Sequence, residues 1–257
     1  AQGPGARERR RGGAVGRRPA QGPEARERRR GGGDSSPRGG RGSARQPGKQ
    51  PVAAGQGAPG HVGLVGFGPA GTALAVALLG AGAEVTVIEG DTQTLAETLA
   101  EVAAHHDQSV QAGRLTAARR EAEWERIDGS TDLRELESAD MAIVTGAAGN
   151  AEAERLMAEI DRVLGPGGML AVLGDGTGLA ALASATGRPE AVIALIPARP
   201  FAQARVIEVG VTGETREDVV AAGFQLVRRL GRIAVRSGVS GGGIGRRVGH
   251  ALRHAMD

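Results

Sequence analysis

Short apolar runs alternate with segments of helical periodicity along most of the chain, from His61 onward. Runs of this length, bounded by glycine and polar residues, are typical of buried strands in a parallel sheet. The predicted strands begin at or near His61, Glu84, Ile127, Met141, Met169, Val192, Arg205 and Ile233. The alternation predicts a doubly wound α/β protein whose strands pair in parallel through right-handed crossovers.

Three of the intervening helices have clear limits in the sequence. Thr92–Ala112 and Thr116–Arg126 carry apolar residues at helical spacing on either side of Gly113, which predicts a helical hairpin inserted after the second strand. Ala151–Leu164 is also amphipathic and is closed by a Gly-Pro-Gly sequence. These segments complete a pattern in which helices cover the sheet.

The segment from His61 to Asp91 joins a strand, a Gly-x-Gly-x-x-Gly turn, a helix and a second strand followed by Glu89. This order is typical of a dinucleotide-binding Rossmann unit, in which successive glycines allow a tight turn, close approach of a pyrophosphate and close helix packing. Glu89 lies 18 residues after Gly71, near the spacing of the carboxylate that binds the ribose hydroxyls. The predicted cofactor-binding residues are Gly66, Phe67, Gly68, Pro69, Ala70, Gly71 and Glu89.

This motif leaves alternatives open. The glycines could serve packing alone, although the acid at Glu89 argues against that interpretation. Glu89 favours NAD(H) over NADP(H), because a carboxylate accepts hydrogen bonds from a ribose diol and repels a 2′-phosphate. The motif also resembles the first half of FAD-binding oxidoreductases, but the remaining sequence shows no likeness to a flavoprotein, so NAD is the predicted cofactor.

Residues 1–60 differ sharply in composition from the rest of the chain. They contain 14 basic and 4 acidic side chains, a net charge of +10, which leaves 18 basic and 25 acidic residues, a net charge of −7, in 61–257. The sequence of Ala1–Gly13 recurs at Ala20–Gly32 with one change. With 16 Gly, 7 Pro and no aromatic residue, this tail cannot bury enough apolar surface to offset its ordering entropy, so it is predicted to be disordered.

The basic tail permits several interpretations. Arginine-rich tails can bind RNA, but such tails gain affinity from interleaved aromatic residues, and this one has none. A solvated extension, or translated upstream sequence, is the favoured interpretation. An organelle presequence is less favoured, because Glu8, Glu24 and Glu27 interrupt the basic run. Nucleic acid is therefore not an expected partner of the folded part.

Two further observations restrict the class of protein. The chain contains no Cys, which excludes disulfides and thiolate metal sites. No apolar run reaches the length of a membrane span, so a cytoplasmic protein without a membrane partner is expected. His250 and His254 share one face of a predicted helix over Gly245–Met256, but two histidines are too few to predict a metal site.

Four segments follow the glycine turn in this order: AGRLTAARREAEWERIDGSTDLRELESADMAIV, AEIDRVLGPGGMLAV, ASATGRPEAVIAL and VIEVGVTGETREDVVAA. Together with the turn they resemble the NAD-binding domain of 3-hydroxyacyl-CoA dehydrogenases, including 3-hydroxybutyryl-CoA dehydrogenases, from about His61 to Leu252. The resemblance implies a mostly parallel, eight-stranded domain over residues 61–240, with 241–257 as the start of a truncated helical domain. It also implies NAD-dependent oxidation of a 3-hydroxyacyl-CoA to the 3-ketoacyl-CoA, a reaction of fatty-acid metabolism.

The resemblance also locates the family's catalytic groups. Its general-base His falls on Ile196, its substrate-placing Asn on Arg199, its orienting Glu on Ala148, and its Ser on or beside Asp175. All four residue types are replaced, which puts the family's activity in doubt, because loss of a general base removes about 10²- to 10⁴-fold in rate. His61 opens the first strand at its amino end, and His105 and His106 are expected to be solvated.

Three functional hypotheses follow. The first is a divergent dehydrogenase that still acts on an acyl-CoA or a smaller hydroxy acid. The second is an NAD(H)-binding pseudoenzyme, and the third is a decayed product with neither activity nor affinity. An intact glycine turn with Glu89, beside a replaced catalytic set, favours the second over the third. The sequence leaves the oligomeric state open.

Overall fold

The computed structural model describes residues 57–66, 68–146, 149–198, 200–238 and 243–244. All of them belong to the second of two compact units into which the chain divides, Pro47–Asp257. The predicted disordered tail, up to residue 56, and the predicted helix over Gly245–Met256 lie outside the described residues. The domain limits at residues 60 and 240 stay predictions.

Eight strands form one sheet in the order β3-β2-β1-β4-β5-β6-β7-β8. The order reverses direction between β1 and β4, the switch point at which doubly wound sheets bind ligands beyond the carboxyl ends of their strands. All eight strands begin within one residue of their predicted positions. They are β1 His61–Val65, β2 Glu84–Ile88, β3 Ile127–Ser130, β4 Met141–Thr145, β5 Met169–Leu173, β6 Val192–Pro197, β7 Val206–Val211 and β8 Ile233–Gly238.

One pairing corrects the sequence prediction. β6 and β7 are antiparallel, with Ile196 opposite Glu208 and Pro197 opposite Ile207, whereas the alternation of strands and helices alone predicted parallel pairing. The connection between them is short and contains only the 3₁₀ turn Phe201–Gln203. A parallel crossover needs about a dozen or more residues, so the chain turns back at once. The sheet is therefore mostly parallel, which confirms the fold that the family resemblance implied.

Helices on both faces connect the strands. The α-helices of the described residues are α1 Pro69–Gly80, α2 Thr92–Gln111, α3 Ala117–Trp124, α4 Ala151–Val163, α5 Leu179–Ser184 and α6 Glu217–Arg229. The 3₁₀ turns Leu133–Ser138 and Pro189–Ala191 lead into β4 and β6. The hairpin predicted after β2 is present as α2 and α3. None of the described helices is both long and apolar enough to cross a membrane.

The core has two parts, one on each face of the sheet. On one face, side chains of α1 and α6, such as Leu74, Leu78 and Leu226, pack on alternate residues of the strands. On the other face, Met157 and Ile160 of α4 pack with the remaining alternate residues. Burial on both faces explains why these strands are nearly continuous apolar runs.

His106 corrects a second prediction. Its side chain is only 1% exposed, and its Nε2 lies 3.1 Å from Oε2 of the buried Glu123, across the α2–α3 hairpin. Its ring also meets Trp124 edge-on. The prediction of a solvated side chain was wrong because His106 lies on the inner face of α2, where it pairs with the carboxylate of Glu123 from α3. His105 is exposed, as predicted.

Arg229, in the last turn of α6, connects α6 to the segment before β1 and to the end of α1. Its Nη1 donates a 2.7 Å hydrogen bond to the carbonyl of Pro59, just before β1. Its Nε donates a 3.0 Å bond to the carbonyl of Ala81, at the end of α1. A single guanidinium thus satisfies two backbone acceptors from segments far apart in the sequence.

Candidate functional site

The glycine turn lies at the carboxyl edge of the sheet, between β1 and α1. Gly66 has φ +68°, in the left-handed region that favours glycine, and its N–H donates to the carbonyl of Ile88 at the end of β2. The hydroxyl of Thr145, the last residue of β4, donates a 2.6 Å hydrogen bond to the carbonyl of Gly66. Both neighbouring strands therefore hold the turn.

Gly68 precedes α1 and has open space around it. Its φ is +156°, and a Cβ built there would meet no atom of the described residues within 4 Å. The positive φ favours glycine here, and the lack of a neighbouring atom leaves room for the backbone of the turn to approach a ligand phosphate closely. A pyrophosphate fits this arrangement, since the open volume lies where a side chain would otherwise stand. The adjacent Phe67 lies outside the described residues.

Helix α1 begins without a side-chain cap. Gly68 is its N-cap residue, Pro69 occupies the first turn, and the first turn contains no acidic residue. The first backbone N–H groups of a helix have no intrahelical acceptor, and the helix dipole makes this end favourable for anions. Ala70 is exposed and Gly71 is buried against the core. The first turn can therefore offer N–H donors to a phosphate.

Glu89 follows β2 and lies at the same edge. It is 8% exposed, and its Oε1 accepts a 3.1 Å hydrogen bond from the hydroxyl of Thr98 on α2. Its backbone N–H donates to the carbonyl of Ser130 at the end of β3. Two neighbouring elements thus hold this residue beside the glycine turn, with a carboxylate that can accept hydrogen bonds from a diol.

Asp91, two residues further on, is the N-cap of α2. Its side chain accepts hydrogen bonds from the hydroxyl of Thr94 at 2.7 Å and from the N–H of Thr94 at 2.9 Å. These bonds, chiefly the one from the hydroxyl, lower the pKa of Asp91 below its ordinary value. The carboxylate is therefore ionised and bound to its own helix start.

Of the positions implied for catalysis, the two that the structure describes, Asp175 and Ile196, lie in the other half of the sheet. Ile196 lies near the carboxyl end of β6 and is buried among apolar side chains. Asp175 is exposed in the loop after β5, where its Oδ1 accepts from the N–H of Thr177 and its carbonyl accepts from the N–H of Gly243. Ala148 and Arg199 lie outside the described residues.

Sequence reasoning missed Glu208. This residue of β7 is 5% exposed, lies directly opposite Ile196 in the antiparallel pair, and accepts a 2.6 Å hydrogen bond from the N–H of Ile244 at Oε2. The available signal was an acid inside the apolar run VIEVGV, because buried acids are rare unless they are paired or functional. The structure thus places a carboxylate beside position 196.

The family model for the NAD-binding domain of 3-hydroxyacyl-CoA dehydrogenases matches residues 61–239, most of the chain. The chain belongs to this family. Its membership confirms the predicted resemblance and identifies NAD as the cofactor of the domain, in preference to FAD. Membership of the dehydrogenase family agrees with the open space at Gly68 and with the carboxylate of Glu89 at the same edge.

Individual relatives cover this domain and extend beyond it. A 3-hydroxybutyryl-CoA dehydrogenase of Mycobacterium tuberculosis is 28% identical over 184 residues, which are 69% of this chain and 64% of that protein. The chain therefore spans less than two thirds of that relative. The crystal structure of FadB2 from M. tuberculosis is 27% identical, with a TM-score of 0.70 over 77% of this chain and 71% of that one.

A further solved structure is similar in fold. (S)-3-Hydroxybutyryl-CoA dehydrogenase PaaH1 from Ralstonia eutropha has a TM-score of 0.71 and 24% identity, over 76% of this chain and 69% of that one. Similarity at this level of identity supports the doubly wound architecture and its strand order.

Proposed function

We propose that this chain binds NAD(H) at the turn Gly66–Gly71 and Glu89, and that its dehydrogenase activity is lost or severely reduced. The observation that carries the first part is the open space around Gly68, next to an uncapped helix start. The backbone of the turn and the N–H groups of the first turn of α1 hold the pyrophosphate. The carboxylate of Glu89 accepts hydrogen bonds from the adenosine ribose hydroxyls.

The second part of the proposal depends on position 196. The family's substrate class, a 3-hydroxyacyl-CoA, loses a hydroxyl proton to a base and a hydride to the nicotinamide, which is the chemistry that bound NAD supplies. Isoleucine has no group that accepts a proton, and the side chain of Ile196 is buried. The described residues bring no His to this edge of the sheet, since His61 lies at the amino end of β1, His105 is exposed in the second half of α2, and His106 is paired within the hairpin.

An active dehydrogenase is the second candidate, and one observation favours it. Glu208 places a buried carboxylate opposite position 196, and a carboxylate can itself accept a proton. In the favoured proposal, Glu208 is instead a structural residue, which accepts a hydrogen bond from the N–H of Ile244. The two candidates therefore differ in whether Glu208 acts as a general base.

The first experiment is titration calorimetry of the full chain with NADH and with NADPH. We expect a micromolar dissociation constant for NADH and weaker binding of NADPH. Glu89→Ala is expected to weaken NADH binding by about tenfold, because it removes hydrogen bonds from a charged acceptor. A wild-type chain that binds neither dinucleotide would overturn the proposal and favour the decayed-product hypothesis.

The second experiment measures NADH formation from NAD and 3-hydroxybutyryl-CoA. We expect no turnover by the wild-type chain. Ile196→His is tested alone and together with Ala148→Glu, and Ile196→Gln is the matched control, since glutamine is polar but is no base. Turnover by the wild type that disappears in Glu208→Gln would establish the active candidate. Turnover gained only with a histidine at 196 would support the pseudoenzyme.

A further inference from the structure

Thr98 is the described side chain that contacts the carboxylate of Glu89 from helix α2. Its hydroxyl donates a 3.1 Å hydrogen bond to Oε1 of Glu89, and the threonine is only 5% exposed. A carboxylate with so little access to water requires hydrogen-bond donors from the protein. This bond occupies Oε1, and the second oxygen of the carboxylate takes no part in it.

Helix α2 is itself firmly held. Asp91 caps its start through two bonds to Thr94, and Val102, one turn after Thr98, is fully buried. Glu101, between Thr98 and Val102, accepts a 3.0 Å hydrogen bond from the hydroxyl of Thr72 in α1. The hydroxyl of Thr98 is therefore presented from a rigid support, and not from a mobile loop.

We propose that Thr98 is a positioning residue for cofactor selectivity: it fixes the carboxylate of Glu89, and so sets the preference for NAD(H) over NADP(H). The inference rests on the proposed role of Glu89 at the ribose. A free glutamate has several rotatable bonds and can swing away from a 2′-phosphate, which relieves the repulsion. A glutamate whose Oε1 is held by Thr98 cannot do so without breaking a buried hydrogen bond.

The same bond raises affinity for the unphosphorylated cofactor. A carboxylate that is already oriented loses less rotational freedom when it accepts hydrogen bonds from the ribose diol. Loss of the Thr98 hydroxyl should therefore weaken NADH binding and leave NADPH binding nearly unchanged. A role of Thr98 in packing alone would change both affinities by the same factor.

The test is titration of the full chain and its Thr98→Val variant with NADH and with NADPH. Valine keeps the shape of threonine and removes the hydroxyl. We expect the NADH dissociation constant to rise by about five- to tenfold, and the ratio of the NADPH to the NADH dissociation constant to fall by about the same factor. Thr98→Ser, which restores a hydroxyl, should recover most of the selectivity.

Thr94→Val is the matched control on the same helix. It removes a threonine-carboxylate hydrogen bond of similar length, to Asp91, without touching Glu89. NADH affinity should stay within about twofold of wild type. The thermal midpoint of each variant, measured without cofactor, separates a general loss of stability from a change in selectivity.

A double-mutant cycle completes the test. In a Glu89→Ala background, Thr98→Val should have no further effect on NADH affinity, because the residue acts only through that carboxylate. If NADH binding and its dependence on Glu89 persist but Thr98→Val leaves the NADPH-to-NADH ratio unchanged, the positioning role is wrong and the proposed function stands. If the wild-type chain fails to bind NADH, the proposed function itself fails.

Discussion

Helices α1 and α4 begin at the same edge of the sheet, after the neighbouring parallel strands β1 and β4, yet their starts differ in chemistry. At α4, the side chain of Asn150 accepts a 2.9 Å hydrogen bond from the N–H of Ala153, and the first turn contains Glu152 and Glu154. At α1, the N-cap is Gly68 and the first turn contains no acid.

The space around the two helix starts also differs: that of α4 is closed by protein, and that of α1 is open. A Cβ at Gly149, just before α4, would approach the Cα of Gly178 to 2.9 Å, so the next loop closes over this helix start. A Cβ at Gly68 would meet open space. In α4, protein side chains accept a hydrogen bond from a first-turn N–H and place negative charge near the positive end of the helix dipole. In α1, the first N–H groups and the positive end of the dipole are available to a ligand. Of these two helix starts, only that of α1 suits a pyrophosphate.

The largest expected effect comes from filling the open space at α1. Gly68→Asp places a carboxylate where the phosphates would lie, so NADH binding should weaken by more than about 100-fold through both bulk and charge repulsion. The fold should survive, with a backbone cost on the order of 1–3 kcal/mol at this positive φ. Calorimetry and a thermal melt measure the two effects.

Gly149→Ala is the matched glycine change at α4. Its added methyl group would meet protein backbone instead of a ligand, so we expect a lower thermal midpoint with NADH affinity kept. Equal losses of affinity in the two variants would show that the comparison between the helix starts has no bearing on cofactor binding.

The next effect comes from making α1 resemble α4. Ala70→Glu adds an acid to the exposed first turn of α1, which should weaken NADH binding by about five- to tenfold. It should also raise stability by about 0.3–1 kcal/mol, because the charge complements the helix dipole. Ala70→Gln is the uncharged control. An unchanged affinity in Ala70→Glu would argue that the phosphates lie elsewhere.

A smaller effect is expected at α4. Asn150→Ala removes the cap and should cost about 1 kcal/mol in the free energy of unfolding, measured by urea denaturation. Asn150→Asp, which can still accept the hydrogen bond, should restore most of it. NADH affinity should stay within about twofold of wild type in both variants, and a larger loss would contradict the separation of the two helix starts.

The smallest effect concerns α2, whose start is capped by the carboxylate of Asp91. Because the folded-state pKa of Asp91 is lowered, its stabilising contribution is present above the ordinary value and is lost as the pH falls through the folded value. The difference in thermal midpoint between wild type and Asp91→Ala should therefore be largest near neutral pH and shrink in strongly acidic buffer. A difference independent of pH would contradict a charged cap.

Local patterns were enough to predict most of the fold. Strand positions follow from apolar runs, and the glycine turn and Glu89 follow from a motif whose geometry is local. The direction of β7 was missed because apolar content does not encode direction, and a short connection decided it. His106 was missed because a polar residue at an inner helical position looks solvated until the carboxylate of Glu123, from another helix, is placed beside it.

The candidate site was predictable from the sequence only where its residues belong to the local glycine motif. The motif indicates which residues face a cofactor, but the bond between Thr98 and Glu89 links a helix face to a strand end, and no spacing rule predicts it. Glu208 was missed for a related reason. Its importance depends on lying opposite Ile196, which follows only from the antiparallel register.

The two hydrogen bonds of Arg229 have a consequence for the order in which the protein is made. The guanidinium joins the carbonyl of Pro59 across 170 positions of sequence. At a ribosomal rate of about 5–20 residues per second, roughly 10–30 seconds separate the synthesis of the two residues. During that interval β1, the strand that leads into the cofactor turn, lacks this clamp. The contact between Pro59 and Arg229 therefore forms only after α6 has been synthesised.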